Sequence, residues 1–283
     1  MATAVTNISK AIATIQGEAV YNFNDVNVCL PLITSAQAPQ GAGNVNFPIY
    51  NQPAHSDADG SENTAGTDFG VTASTQVCTP SRKGIHTTLS DEASVGGAGV
   101  VSSIGSVLGN AVAQKFDADV CALFPNLNGG TDVGTTNTAL SLAVFFAGMK
   151  AVKSSGASAP YSFVSNAGGI WGTNGLRPLL LDTSNTGLNS TTPANEYAST
   201  GFVTQIGLTK VFSSEGVIEA GNDVKAGLFG KSAVVCGIGA QGLLRVEQQR
   251  NATKGAWEVV ASGFYDVQEG QDSHGIMVLY KKD

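Results

Sequence analysis

The stretch GIHTTLSDEASVGGAGVVSSIGSVLGNAVAQKFDADV, residues 84–120, passes from a strand into a long helix. Its first part closes a β-prone run, VTASTQVCTPSRKGIHTTLS, rich in Val, Thr and Ile. Ser90 is the expected N-cap, with Asp91 and Glu92 in a first turn where the helix dipole favours acids. Ile104, Val107, Leu108, Ala111, Val112 and Phe116 then fall at helical spacing and predict one continuous apolar stripe. Gly96, Gly97, Gly99, Gly105 and Gly109 each weaken such a helix by roughly 1 kcal/mol against Ala. A helix that keeps them is expected to be clamped by packing and closely approached by another backbone.

Upstream, residues 44–89 read as a two-stranded excursion. NVNFPIYNQ goes out with Val45, Phe47 and Ile49 alternating. HSDADGSENTAGTDFG forms a polar, acidic tip, and the run ending at Ser90 returns. Residues 1–45 read as an arm, with weak helical periodicity through Ile8, Ile12 and Ile15. It then runs extended through Pro31, Pro39, Gly41 and Gly43. Downstream, 124–137 is a loop and Thr138 to Ser154 a second helix, with Leu142, Phe145, Phe146, Met149 and Val152 on its apolar side and Gly156 as its stop. YSFVSN is a strand, followed by a small helix around Trp171 to Leu181, a polar loop from Asp182, and a helix expected over Ser199 to Phe212. SAVVCGIG, LLRVEQQR, WEVVASGFYDV and GIMVLYKK close the chain as strands, with a turn at Asn251 to Ala256. Strands and helices do not alternate regularly, so the class is α+β.

Composition narrows function. Charged residues are 13% of 283, too few for a coiled coil or a charge-rich disordered chain. Fifteen Lys and Arg face 22 Asp and Glu, and none of the 15 lies between Lys10 and Arg82. That balance argues against tight binding to nucleic-acid phosphates or to an anionic membrane. No segment reads as a secretory signal, and the apolar run Ala139 to Met149 is too short to span a bilayer. Cys29, Cys78, Cys121 and Cys236 form no CxxC pair and read as buried apolar residues. The histidines His55, His86 and His274 match no metal or catalytic spacing. Asp57, Asp59 and Glu62 resemble a fragment of a calcium loop with its Gly misplaced. Gly237-Ile-Gly239-Ala-Gln-Gly242 matches a dinucleotide fingerprint, but β-like LLRVEQQRN follows where a helix is needed, so a glycine bend between strands is the simpler reading.

The order of elements, with GAGNVNFPIYNQ, GIHTTLSDEAS and the C-terminal GLLRVEQQRNATKGAWEVVASGFYDVQEGQDSHGIMVLYKKD, resembles the major capsid protein of tailed bacteriophages, with the Hong Kong 97 fold. The resemblance implies an N-arm at 1–43, an E-loop at 44–89, a peripheral domain with its spine helix at 90–155 and 228–270, and an axial domain at 156–227 and 271–283. It implies a non-enzymatic protein that self-assembles into pentamers and hexamers of an icosahedral head enclosing double-stranded DNA, without cofactor or metal. Scaffold, portal and decoration proteins are the implied partners. DNA would be packaged without sequence-specific binding, and heads would assemble in the host cytoplasm and end in the virion. Two alternatives stand beside it: an encapsulin-like nanocompartment shell, and an enzyme using the Gly237–Gly242 turn.

The shell reading carries expectations for contacts between subunits. The arm's Val28, Leu30, Leu32 and Ile33 are expected to need a partner's surface, so that removing residues 1–35 leaves soluble subunits that fail to close shells. Asp57, Asp59 and Glu62 are expected to dock on a neighbour's Lys115, Lys150, Lys153, Arg245, Arg250 or Lys254. Asn251 falls in the segment resembling the family's P-loop. Some members link a Lys to such an Asn, but the nearest Lys here, Lys83, sits at the excursion's base. Cys29 and Cys78 are the pair that could cross-link instead, against the reducing pool of the cytoplasm.

Overall fold

The computed structural model describes residues 3–50, 71–90, 98–181, 202–206 and 208–282. The chain begins with α1 (Thr3–Val26), a short 3-10 turn (Leu30–Leu32) and β1 (Thr34–Gln37). β2 (Val45–Tyr50), β3 (Ala73–Cys78) and β4 (Ser81–Ser90) lead to α2 (Ala98–Cys121). A 3-10 turn (Phe124–Asn126), β5 (Asp132–Gly134) and α3 (Leu142–Ser154) follow. Then come β6 (Tyr161–Ser165), α4 (Ala167–Trp171), α5 (Leu176–Leu181), β7 (Phe202–Ile206), β8 (Thr209–Ser213), β9 (Glu219–Ala220) and β10 (Asp223–Phe229). β11 (Val234–Ile238), β12 (Arg245–Asn251), β13 (Ala256–Glu269) and β14 (Gly275–Lys281) complete it.

Three sheets result. One runs β1-β11-β13-β12, with β4 also on β13; one runs β5-β14-β10-β6-β8-β7, with β9 on β10; and β2 pairs with β3 alone. The long β13 organises the first. Its start lies between β12, with Val259 opposite Gln248, and β4, with Val259 opposite Thr87. Its end, Tyr265 to Glu269, pairs with β11.

The expected stripe on α2 is real at Leu108, Val112 and Phe116, which are buried, but Val107 is 64% exposed. The glycines explain the offset. The true packing face includes Gly105 and Gly109, where a Cβ would collide with the main chain of α1 at Ile15 and Ala19. α1 presents Ile15, Ala19 and Phe23, one turn apart and all buried, to that face. The two helices then share a core with Val259 and Ala261 of β13. The closely approaching backbone expected of a glycine-rich helix is therefore the chain's own first helix.

This corrects the reading of the arm as mainly extended. The helical pattern seen to Ile15 continues to Val26. Beyond it, β1 pairs in parallel with β11, Thr34 opposite Val235 through Gln37 opposite Ile238. Val28 and Ile33 are buried in the chain's own core, so these two side chains need no partner for burial, and Leu30 and Leu32 pack against it half-buried. Asp117 of α2 fixes the join: Oδ2 accepts the N–H of Val28 and Oδ1 that of Cys29, both at 3.0 Å. Burial pushes this carboxyl above its usual range, against the pull of those two N–H donors. Asp117→Asn sets an NH2 group against one donor and is expected to cost about 1–3 kcal/mol in urea unfolding. Because the folded carboxyl titrates above the unfolded one, its ionisation makes wild-type stability fall as pH rises through the folded value; the Asn variant should lack that slope.

Other expectations are adjusted. Ser90 is the last residue of β4 rather than a described cap, and Asp91 and Glu92 lie outside the described residues. The loop 124–137 contains β5, which pairs in parallel with β14. α3 starts at Leu142 with Ser141 as its cap, the hydroxyl accepting from the Val144 N–H at 3.3 Å; Phe145 and Val152 are buried, while Phe146 is 46% exposed. Gly156 ends it with φ +89°. The helix expected over Ser199 to Phe212 is two strands. Thr209, Val211 and Phe212 of β8 are buried, and β8 pairs in parallel with β6. β10, at the middle of the second sheet, is a strand the sequence reading missed. The polar loop from Asp182 lies outside the described residues.

His274 ties three of these pieces together. It is 3% exposed. Its Nε2–H donates to the Ser155 carbonyl at 3.2 Å, and its Nδ1 accepts from the Ser232 hydroxyl at 2.7 Å. Burial holds its pKa below the ordinary value, the Ser155 carbonyl pulling the other way. The neutral ring belongs to the fold, so its contribution is full above the unfolded pKa of about 6.5 and is lost as pH falls through the lower folded value. Thermal unfolding between about pH 5 and 7 should show stability falling with acid, with the fall reduced in His274→Gln.

Candidate assembly surface

The surface features that could join copies of the chain lie at the two ends of the first sheet. The hairpin β2–β3 packs one face on β11: Val45, Phe47 and Cys78 are buried with Val235 and Ala38. Its other face carries Tyr50 at 55% and Val77 at 44% exposure, with Val71 at 68% just before β3. A two-stranded sheet with apolar groups in solvent is marginal by itself and invites a covering surface. The acidic residues Asp57, Asp59 and Glu62 lie in the tip joining these strands, outside the described residues.

The β12–β13 hairpin forms the other end, and its turn is built by Asn251. The Asn251 Oδ1 accepts from the Thr253 hydroxyl at 2.7 Å and the Lys254 N–H at 3.3 Å, while Nδ2 donates to Glu258 Oε1 at 3.0 Å. The Asn251 amide, then Lys254, hold the Glu258 carboxyl below its usual range. Arg250 lies over the Trp257 ring at 5.4 Å.

The basic residues expected to receive a neighbour's acids are mostly engaged within the chain. Lys115 pairs with Asp119 at 2.6 Å, Arg245 with Glu247 at 2.6 Å, and Lys254 with Glu258 at 3.6 Å. Exposed pairs of this kind are worth ~0–1 kcal/mol, so exchange for another carboxylate would change stability little. Lys150 and Lys153 stand exposed on α3. Lys83 lies within β4 opposite Gly263, in the sheet rather than on the excursion.

The cross-link assigned to Cys29 and Cys78 is not supported by their positions. All four cysteines are buried free thiols. Cys29 belongs to the main core with Cys121, and Cys78 to the small core under the β2–β3 hairpin. Burial pushes the Cys78 thiol up to about 11 and the Cys236 thiol up to about 12.

The glycine fingerprint is a bend. Gly237 lies in β11, Gly242 has φ +89°, and β12 follows where a dinucleotide site requires a helix. Among the described residues, no three His, Cys, Asp or Glu side chains gather as a metal site, and no helix is long and apolar enough to cross a membrane.

No protein-family model matches the chain, and no curated protein sequence matches it. Solved structures do. The capsid of the cyanophage P-SCSP1u is 17% identical with a TM-score of 0.62, over 89% of this chain and 87% of that one. The head structure of Helicobacter pylori bacteriophage KHP40 is 12% identical with a TM-score of 0.63, over 92% and 91%. The virus-like particle from Pyrococcus furiosus is 9% identical with a TM-score of 0.60, over 95% and 98%. The chain has the fold of tailed-phage capsid proteins, and its mixed architecture agrees with the α+β class and Hong Kong 97 arrangement expected from sequence.

Proposed function

We propose that the chain is the subunit of a closed protein shell, the major capsid protein of a tailed-phage head, assembling as pentamers and hexamers around double-stranded DNA. The observation that carries this is end-to-end coverage: capsid and head subunits match about nine tenths of this chain with about nine tenths of their own. The exposed apolar face of β2–β3 supports the reading, because a neighbouring copy would cover it. The net charge of −7 suits a wall that holds DNA by enclosure rather than by phosphate contacts.

In this reading residues 1–43, with α1 and β1, are the N-arm, and residues 44–89, with β2, β3 and most of β4, are the E-loop. Residues 90–155 and 228–270, with α2, α3, β11, β12 and β13, form the peripheral domain. Residues 156–227 and 271–283, with α4, α5, β6 to β9, most of β10 and β14, form the axial domain. The Asn251–Ala256 turn is the P-loop. The Pyrococcus particle favours one second reading, an encapsulin-like compartment shell; DNA inside purified particles would support a phage head, and a protein cargo the compartment.

Sedimentation velocity across a range of concentrations and salt tests the proposal. Capsomer-sized and larger species are expected, with the monomer depleted as concentration rises. A monomer at every concentration, with a small molecule co-purifying, contradicts it.

A further inference from the structure

We propose that Cys29 and Cys121 are an oxidisable dithiol, a modification site at which one disulfide staples the segment after α1 to the C-terminal end of α2. The inference does not rest on the shell reading. Geometry selects the pair. The N–H of Cys29 is held by Asp117 Oδ1 at 3.0 Å, and the N–H of Val28 by the other oxygen of the same carboxylate. Cys121 lies four residues after Asp117 in α2, one turn further along the same face. The two backbone bonds that seat Cys29 on α2 thus place its side chain over the turn that carries Cys121. Both side chains are fully buried in one core, and Cys121 is the largest influence on the Cys29 thiol.

The other two cysteines do not share this arrangement. Cys78 packs on the face of β11 that carries Gly237, where an added Cβ would lie 2.5 Å from its own Cβ. Cys236, the preceding residue of the strand, points to the opposite face and into the main core.

The reaction is thiol–disulfide exchange with a small-molecule disulfide, RSSR. Deprotonated at one sulfur, the pair displaces RS⁻ and forms a mixed disulfide; the second thiol then displaces the other RS⁻. The balance is two protein thiols plus RSSR giving one Cys29–Cys121 disulfide plus two RSH. The neighbouring Cys121 thiol, burial and the Asp117 carboxylate push the Cys29 thiol well above its ordinary range, so little thiolate exists in the closed fold and exchange waits on opening of the Cys29 segment.

The test treats the full chain, purified reduced, with excess oxidised glutathione at a urea concentration below the unfolding transition. Free thiols are then counted after acid quench and denaturation, and linked peptides are mapped by mass spectrometry. Thiols should fall from four to two, with a Cys29–Cys121 peptide and a melting midpoint raised on the order of 5 °C, reversed by reductant. Cys29→Ala and Cys121→Ala should each abolish the loss of thiols, whereas Cys78→Ala and Cys236→Ala should still lose two. Four thiols retained after treatment, glutathione adducts alone, or a linked peptide between any other pair would overturn the proposal.

Discussion

Gly109→Ala should destabilise the protein by about 2–3 kcal/mol, while Gly17→Ala stabilises it by about 0.5–1 kcal/mol. Both glycines are interior to helices, and by intrinsic propensity both substitutions should help. What separates them is space. Around Gly17 nothing lies within 4 Å of an added methyl group. At Gly109 the methyl would meet the Ala19 carbonyl oxygen and lie 2.9 Å from the Ala19 Cα, all main chain that cannot swing aside. Gly105→Ala should behave like Gly109→Ala, since its methyl would lie 2.5 Å from the Ile15 carbonyl oxygen. Urea unfolding of the three variants reads the signs directly. Equal effects at 17 and 109 would mean that α1 does not lie on α2 as described.

Removing residues 1–35 should abolish folding rather than yield soluble subunits that fail to assemble. The deletion takes away Ile15, Phe23 and Ile33, all at or below 4% exposure, each worth roughly 1.5–3 kcal/mol of burial. It removes Thr34 and Ser35, half of the β1 ladder on β11, and leaves Asp117 buried without its two donors. A loss of this size rivals the whole net stability of a typical domain, about 5–15 kcal/mol. Insoluble protein, or soluble protein without a cooperative melt, is expected. A truncated chain that melts cooperatively near the intact chain's midpoint would show that the arm is dispensable to the subunit.

The long-range assignments that succeeded were those in which one strong local pattern had one spatial solution. The glycine-studded helix required a close backbone, and the C-terminal alternation from Val234 to Lys281 required strands. The failures arose where local pattern was silent about the partner. Nothing in the sequence around Val28, Leu30, Leu32 and Ile33 says that the surface they need is in the same chain, so the arm looked dependent on a neighbour. Phe202 to Ser213 has apolar residues that suit a helix or two short strands equally, and pairing with β6 decides it. β10 was hidden because Asp223, Lys225 and Gly227 interrupt its apolar run. The sheet buries it regardless, with Phe124 packed where Gly227 has no side chain. The basic residues of the candidate surface were read correctly as charges, but their own acids, Asp119, Glu247 and Glu258, sit two to four residues away and engage them first. The placing of Cys29 in the core that holds Cys121 lay beyond sequence because it depends on how Asp117 seats the chain after α1.

The most direct test of the account is an electron cryo-microscopy reconstruction of the assembled protein. It predicts a closed shell of five- and six-fold rings, with the apolar face of β2–β3 covered by a neighbouring copy and α1 lying on α2 of its own chain. Particles without such rings, or a β2–β3 hairpin facing solvent in a closed shell, would contradict it.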